Sequence, residues 1–280
     1  MSSGTLAADR ARRHEPSLGN RVRRFAGLTY TLGVTEWRLR FFGSALGYLW
    51  TLARPLLFFG VLYVVFTQVA KLGNEIKHYP AYLLAAIVLY TFFAEATGGA
   101  VQCLVERESL LRKVRFPSMV VPLSVVLTAL FNLGTNLLAV TAFLLVNGIT
   151  PQWGWLEMPV LVLLLTMLAS GAALLLSALF VRFRDVAPIW EVVSQMLFYG
   201  SPIFYTVDFY GEYKEILAAT PIVAVLTQMR HALIDPTAPS LAEVLGGAGY
   251  VLIPIAITLA LLLLGLAVFR RAAPGLAEQL

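Results

Sequence analysis

Residues that could perform chemistry are few in this sequence and lie far apart. The three histidines, His14, His78 and His231, fall in different segments, and the single cysteine, Cys103, allows neither a cysteine metal site nor an internal disulfide. The nucleotide-binding pattern G-x-x-x-x-G-K-[ST] and the nucleophile pattern G-x-S-x-G are both absent from the sequence. We therefore expect no catalytic residue, no metal site and no cofactor bound by this chain.

The composition indicates a membrane protein with several spans. Hydrophobic residues make up 59% of the 280 residues, charged residues make up only 13%, and the mean hydropathy is +0.77. A soluble globular domain has a lower apolar content and about twice the share of charged residues. The net charge of +5 would suit a nucleic-acid-binding protein, but no such motif accompanies it, so we expect no nucleic-acid partner.

Six nearly uncharged segments are long enough to cross a bilayer. They are approximately 51–70, 81–103, 119–146, 158–181, 188–205 and 247–269. If the amino terminus is inside, all but four of the 21 Lys and Arg lie on the inner side, and only Lys71, Lys77, Lys214 and Arg230 lie outside. Positive residues concentrate in cytoplasmic loops, and the first 20 residues lack the apolar core of a signal peptide, so we predict cytoplasmic termini.

The segment 25–50 has the pattern of an amphipathic helix. Apolar residues recur at three- and four-residue spacing with Thr35 as the one gap, beside a polar stripe and several arginines; they are Phe25, Leu28, Leu32, Leu39, Phe42, Leu46 and Leu49. Such a helix lies in the headgroup layer of an anionic leaflet with its apolar side toward the lipid. The predicted organisation is a tail over 1–24, an interfacial helix over 25–50, a transmembrane domain over 51–269 and a tail over 270–280.

The loop 104–117 mixes acidic and basic residues around Leu110 and Leu111 and ends at Pro117. This pattern predicts a short helix on the cytoplasmic side. Two interpretations fit it: a solvated turn whose positive charge sets the orientation of the chain, or a helix that docks on a partner protein.

Between the fifth and sixth predicted spans, Thr220 is placed to cap a helix that begins at Pro221 and ends near Asp235. This helix is too short to cross a bilayer. We predict a re-entrant or interfacial helix on the outer side, where protein or a water-filled cavity must surround its backbone.

Polar residues inside the predicted spans are rare. Glu95 is the one clear acid, and such a group either pairs with a polar group across the bundle or faces an aqueous cavity. Asn132, Thr135 and Asn136 lie in the third span, where amides usually bond neighbouring helices. A proton-driven carrier would normally carry more intramembrane acids than this.

Four motifs, taken in order, resemble the ABC-2 permeases of the polysaccharide-export type, and the resemblance covers nearly the whole chain. They are a G-S-x-L-G-x-L-W-x-x-x-x-P pattern at Gly43, Ser44, Leu46, Gly47, Leu49, Trp50 and Pro55, a K-x-x-F-P and P-L-S pattern at Lys113, Phe116, Pro117, Pro122, Leu123 and Ser124, an F-R-D pattern at Phe183, Arg184 and Asp185, and the S-P-I-F-Y run over 201–205.

The resemblance implies an all-α polytopic membrane protein of the ABC-2, or type V exporter, fold. That fold has six transmembrane helices, an N-terminal amphipathic interfacial helix and short re-entrant outer helices between spans five and six. It also implies a homodimeric permease in the bacterial cytoplasmic membrane, with two copies of a separate ABC ATPase that binds ATP and Mg²⁺. The implied substrate is an undecaprenyl- or polyprenyl-linked glycan such as O-antigen, galactan or a teichoic acid.

Three sets of functional residues follow from the resemblance. The substrate conduit is assigned to Phe59, Tyr63, Phe66, Trp190, Ser194, Phe198, Ser201 and Tyr205. The entrance for the lipid pyrophosphate is assigned to Arg38, Arg40 and Arg54. Coupling to the ATPase is assigned to Glu106, Arg107, Glu108, Leu110, Leu111, Arg112 and Lys113.

Two other functions remain open at this point. An ABC-2 exporter of small hydrophobic molecules or drugs would have a narrower conduit. A membrane enzyme acting on lipid-linked substrates would need clustered Asp, His or Arg at one interface, whereas these loops carry scattered ones. The aromatic residues assigned to the conduit could also be ordinary helix packing or interfacial anchors.

Overall fold

The computed structural model describes residues 18–39, 47–69, 71, 76–113 and 116–279, which form twelve α-helices and no strand. In chain order the helices are α1 Leu18–Leu39, α2 Gly47–Val64, α3 Tyr79–Val101, α4 Cys103–Glu106, α5 Glu108–Lys113, α6 Val120–Val146, α7 Met158–Arg182, α8 Val186–Gly200, α9 Lys214–Ala218, α10 Pro221–Met229, α11 Leu241–Val244 and α12 Leu252–Gln279. A π-helical turn, Val65–Val69, extends α2, and a second, Arg230–Ile234, extends α10.

Five helical segments within the described residues are long and apolar enough to cross a membrane. They are Trp50–Val69, Tyr79–Val101, Val120–Val146, Trp153–Arg182 and Ala248–Ala273. The expectation of an all-α polytopic membrane protein is therefore confirmed. The predicted fifth span, 188–205, contains α8, whose 15 residues extend for roughly 22 Å and fall short of the ~30 Å hydrocarbon core. The count of six spans is thus not confirmed.

Helix α3 lies at the centre of the bundle. Every residue from 81 to 90 is buried, because α2, α6, α7 and α8 all pack around this helix. Its sequence is apolar on all sides, as expected for a helix without a solvent-facing or lipid-facing stripe. Helix α1 packs along α6 at one edge of this bundle.

The chain leaves helical geometry after α8 but stays buried. Ser201, Pro202, Ile203 and Phe204 are all buried, so their backbone groups need partners inside the protein. Two tyrosines of α3 supply donors: the Tyr79 hydroxyl donates to the Phe204 carbonyl at 3.0 Å, and the Tyr82 hydroxyl contacts the carbonyls of Pro202 and Tyr205. These bonds allow irregular backbone to persist in the bundle.

The short helix expected after Thr220 is present as α10 with its π-helical turn, and its apolar residues Ile222, Leu226, Met229 and Leu233 are buried. The segment that follows is fixed to the start of α3 by an ion pair of 3.5 Å between Lys77 and Asp235. Burial opposes ionisation of Asp235, but hydrogen bonds from Thr237 and the Lys77 ammonium outweigh it, so the pKa of Asp235 is lowered.

Helices α7 and α12 pack through glycines that bring their backbones close together. A Cβ atom on Gly171 would lie 2.7 Å from the Leu262 Cα, and one on Gly265 would lie 2.2 Å from the Gly171 carbonyl oxygen. Small residues serve this purpose in membrane bundles, where dispersion contacts replace the hydrophobic effect.

We predict that Gly171→Ala lowers the stability of the bundle by about 1–3 kcal/mol, because the methyl group would force the two backbones apart. Thermal unfolding of the detergent-purified protein measures this change. Gly134→Ala is the matched control, since a Cβ there meets nothing within 4 Å. Equal melting temperatures for the two variants would contradict the close packing of α7 and α12.

Candidate functional site: a polar and aromatic cavity

A cavity of about 1270 Å³ lies between α2, α3, α6 and α8. Its wall combines aromatic side chains with amides, hydroxyls and three charged groups. The charged groups are Arg54 of α2, Glu95 of α3 and Glu191 of α8. A surface of this kind can stack against apolar faces and exchange hydrogen bonds with hydroxyl groups, and both are properties of a binding surface.

Three of the eight residues assigned to the conduit line this cavity: Trp190, Ser194 and Phe198, all on α8. They share one face of the helix, as their spacing predicted. Contacts with α3 hold this wall in place, because the Trp190 Nε1–H donates to Thr97 Oγ1 at 3.2 Å and the Tyr90 hydroxyl lies 3.3 Å from Ser194 Oγ. The tyrosine also donates to the Ser194 carbonyl.

The three aromatic residues assigned to α2 and its extension point elsewhere. Phe59 stacks on Tyr63 with 5.7 Å between ring centroids and meets Phe143 of α6 edge to face. Phe66 stacks on Phe204 at 4.6 Å. The neighbouring Phe58 lines the cavity instead and contacts the Phe198 ring at 5.7 Å.

The other two conduit residues follow α8. Ser201 is buried, and the Tyr205 hydroxyl donates to the Tyr199 carbonyl at 2.8 Å. Neither lines the cavity. Five of the predicted conduit residues therefore do not line this cavity, and their contact with substrate stays a prediction. They are Phe59, Tyr63, Phe66, Ser201 and Tyr205.

The arginines assigned to the entrance occupy different positions. Arg54 lines the cavity, whereas Arg38 is exposed in the last turn of α1. Arg40 lies outside the described residues. Helix α1 begins at Leu18, earlier than the predicted Phe25, and is described as far as Leu39. Residues 47–50, assigned to the interfacial helix, belong to α2.

The predicted coupling loop forms two short helices, α4 and α5. Arg107, between them, makes an ion pair of 2.8 Å with Glu36 of α1, and both side chains are largely buried, at 23% and 16% exposure. Ser124 of the P-L-S motif lies 3.4 Å from each partner. Glu106 is exposed, Glu108 and Leu110 are half-buried, and Leu111 packs on the core. The side chains of Arg112 and Lys113 lie outside the described part of the chain.

Two consecutive hydrogen bonds join residues of α1, α6 and α3 that no sequence pattern connects. The Trp37 Nε1–H of α1 donates to Asn132 Oδ1 at 3.1 Å, and the Asn132 Nδ2–H donates to Glu95 Oε2 at 3.2 Å. The sequence identified Asn132 and Glu95 as unusual polar residues within spans. Their partnership with Trp37 could not be inferred, because Trp37 is 95 residues away from Asn132.

No group of three His, Cys, Asp or Glu that could hold a metal ion occurs within the described ranges. The chemistry available in the cavity is therefore that of hydrogen bonding, aromatic stacking and the three charges named above.

Comparison with known proteins places these features in a family. The family model of the ABC-2 type transporter matches residues 27–234. The chain is 29% identical over 218 residues to the O-antigen export system permease protein RfbA of Myxococcus xanthus, an alignment that covers 77% of this chain and 83% of that protein. It is 26% identical over 202 residues to the protein of the same name from Klebsiella pneumoniae, covering 71% and 77% respectively. This chain is a multi-pass membrane protein and belongs to the ABC-2 type transporter family.

Proposed function

We propose that this chain is the membrane subunit of an ATP-driven exporter that moves a lipid-linked polysaccharide across the cytoplasmic membrane. The observation that carries the proposal is the wide cavity of aromatic and hydroxyl-bonding side chains in a chain similar to O-antigen export permeases. Sugar rings present apolar C–H faces and many hydroxyls, which match aromatic rings and small polar groups respectively.

The size of the cavity favours a polymer over a small molecule. Pockets for drug-sized ligands measure roughly 300–1,000 Å³. The cavity of about 1270 Å³ exceeds this range, and amides and charged groups interrupt its apolar wall. A pump for small hydrophobic compounds would have a more uniformly apolar wall.

The conduit is proposed to lie between two copies of the chain. Helices α2 and α8, which form one side of the cavity, also expose apolar side chains such as Leu57, Val61, Val192 and Met196. A second copy placed against this face would enclose the path between the protomers. Two copies of a separate ATPase would bind ATP and Mg²⁺ on the cytoplasmic side, which is also the side proposed for both termini of the permease.

The ion pair between Arg107 and Glu36 offers a route from the ATPase to the membrane. A push on α4 and α5 would move α1 with them, because Arg107 is bonded to α1. A transporter needs such a link, since ATP binding shifts a conformational equilibrium only if the two states interact differently with the ATPase.

The first experiment tests transport itself. Affinity purification from the native membrane should recover a P-loop ATPase in matching amount, and membrane vesicles containing both subunits should export the glycan with ATP. Gly98→Phe should reduce export about tenfold or more, because Gly98 lines the cavity and a Cβ there meets nothing within 4 Å. A bulky side chain at this position would project into the conduit without displacing its neighbours.

Gly134→Phe is the control for this substitution. Gly134 also has nothing within 4 Å of its Cβ position, but it does not line the cavity. If Gly98→Phe exports at the rate of the control, the cavity is not part of the substrate path. Absence of an ATPase from the purified complex would refute the transporter assignment.

We also propose that the arginines assigned to the entrance bind the pyrophosphate of the lipid-linked substrate, so their loss should lower the affinity for that substrate. Replacing Arg38, Arg40 and Arg54 with glutamine should raise the apparent KM for the lipid-linked substrate by about tenfold or more, since each charged hydrogen bond to a pyrophosphate contributes ~1.5–3 kcal/mol. Initial export rates at varied substrate concentration measure this. The matched control replaces Arg182, Arg270 and Arg271, which are exposed and do not line the cavity. Equal KM values for the two triple variants would exclude the entrance model.

If the ion pair between Arg107 and Glu36 links the ATPase to α1, exchanging the two charges should restore export. Glu36→Arg and Arg107→Glu should each reduce export about tenfold, because each leaves two like charges in a largely buried contact. The double variant should regain most of the export rate, measured together with ATP hydrolysis. If Arg107 instead serves as a direct contact to the ATPase, the double variant will stay as defective as Arg107→Glu alone.

A further inference from the structure

A chain of hydrogen bonds connects the interfacial helix to an acid in the cavity wall. Trp37 of α1 donates to Asn132 of α6, and Asn132 donates to Glu95 of α3, over distances of 3.1 and 3.2 Å. Asn132 is 6% exposed, so its amide is bonded on both sides within the protein. Three helices that are distant in sequence thus meet at one side-chain amide.

The chemistry of the three groups fixes the direction of this chain. An indole N–H can only donate, so the Asn132 amide must turn its oxygen toward Trp37. The amide nitrogen then faces Glu95, whose carboxyl oxygen accepts its hydrogen bond. The orientation of Asn132, and through it that of the Glu95 carboxylate, consequently depends on the position of Trp37.

Glu95 has acceptor capacity left over. Its Oε2 receives the bond from Asn132, while its Oε1 has no hydrogen-bond partner within the described residues, and the side chain lines the cavity. A carboxylate has about four acceptor sites, enough to receive two neighbouring hydroxyl groups of one sugar ring. Trp190, held by its bond to Thr97, provides an aromatic face in the same cavity.

The charges in the cavity indicate which part of the substrate this region suits. Glu95 and Glu191 both line it, and two carboxylates repel a phosphate group. The positive charge among the residues that line it is that of Arg54 on α2. Glu95 therefore suits a neutral, hydroxyl-rich sugar unit, while an anionic group would be drawn to Arg54.

We propose that Glu95 accepts hydrogen bonds from the hydroxyls of a neutral sugar unit, and that Asn132 and Trp37 are positioning residues through which α1 sets the direction of its carboxylate. The proposal rests on polysaccharide transport as the function of the cavity. Helix α1 is also bonded to α6 through the Thr128 Oγ1, which donates to the Gly33 carbonyl at 3.2 Å, and to Arg107 through Glu36. A shift of α1 of about an ångström would exceed hydrogen-bond range at Trp37 and release the Asn132 amide.

A double-mutant cycle tests the connection in vesicles that contain the whole transporter. Trp37→Phe removes the N–H donor but keeps an aromatic ring beside Phe131, and Glu95→Gln removes the charge while keeping an acceptor for Asn132. Each single variant should export about three- to tenfold more slowly, and the double variant should be no slower than Glu95→Gln alone. Losses that multiply would mean that Trp37 and Glu95 act independently and would overturn the proposal.

Tyr30→Phe is the control on the same helix. Tyr30 also meets Phe131, edge to face, and its hydroxyl has no hydrogen-bond partner within the described part of the chain. Its export rate should stay within twofold of the unsubstituted protein.

A spectroscopic measurement separates positioning from simple structural support. The sequence has five tryptophans, so the indole N–H signals of a ¹⁵N-tryptophan-labelled permease can be assigned by single substitutions. Maltoheptaose, a neutral oligosaccharide, should shift the signal of Trp37 although Trp37 does not line the cavity, and Glu95→Gln should abolish that shift. A Trp37 signal that ignores the sugar, or responds equally in Glu95→Gln, would overturn the proposal.

The same experiments distinguish this inference from the proposed function. ATP-dependent glycan export that is normal in Glu95→Gln would refute the role of Glu95 and leave the transporter assignment standing. Absence of any ATP-dependent glycan export by the unsubstituted complex would refute both.

Discussion

Polar groups within a membrane must find partners inside the protein, because the hydrocarbon core offers none. This constraint is most visible where α8 ends after Gly200 and the chain continues as buried, irregular backbone. The hydroxyls of Tyr79 and Tyr82 bind the carbonyls that a longer helix would have satisfied internally. The central position of α3 is what makes these donors available, so the shortness of α8 and the burial of α3 depend on each other.

The same constraint explains how α1 is attached. Its Gly33 carbonyl accepts a hydrogen bond from Thr128 of α6, and its Glu36 carboxylate pairs with Arg107 of the loop 104–117. Each of these contacts joins a donor to an acceptor, which makes the attachment directional. A helix held by apolar packing alone could slide along its neighbour, whereas α1 has a defined register against α6. Any movement of α1 must therefore carry the bonded groups with it or break their bonds.

Hydropathy predicted the first four spans within a few residues, since length and lack of charge are local properties. The predicted 119–146 is α6 Val120–Val146, and the predicted 158–181 is α7 Met158–Arg182. The fifth predicted segment is only partly helical, because α8 ends at Gly200 and 201–205 is not helical. Gly200, Ser201 and Pro202 are local signs of a helix end. That the following residues remain buried depends on tyrosines more than a hundred positions away, which no local pattern contains.

The candidate site was predictable in kind but only partly in detail. On α8 the aromatic and hydroxyl residues share one face, and the structure places Trp190, Ser194 and Phe198 together at the cavity. On α2 the sequence offers Phe58 and Phe59 side by side, and a step of one residue turns the side chain by about 100°. Contact of Phe59 with Phe143 of α6 settles which ring faces the cavity. Tertiary packing thus determines which of two neighbouring side chains faces the cavity, and it also determines which polar side chains bond to one another. No local pattern connects Trp37, Asn132 and Glu95, and only the crossing of α1, α3 and α6 brings them into contact.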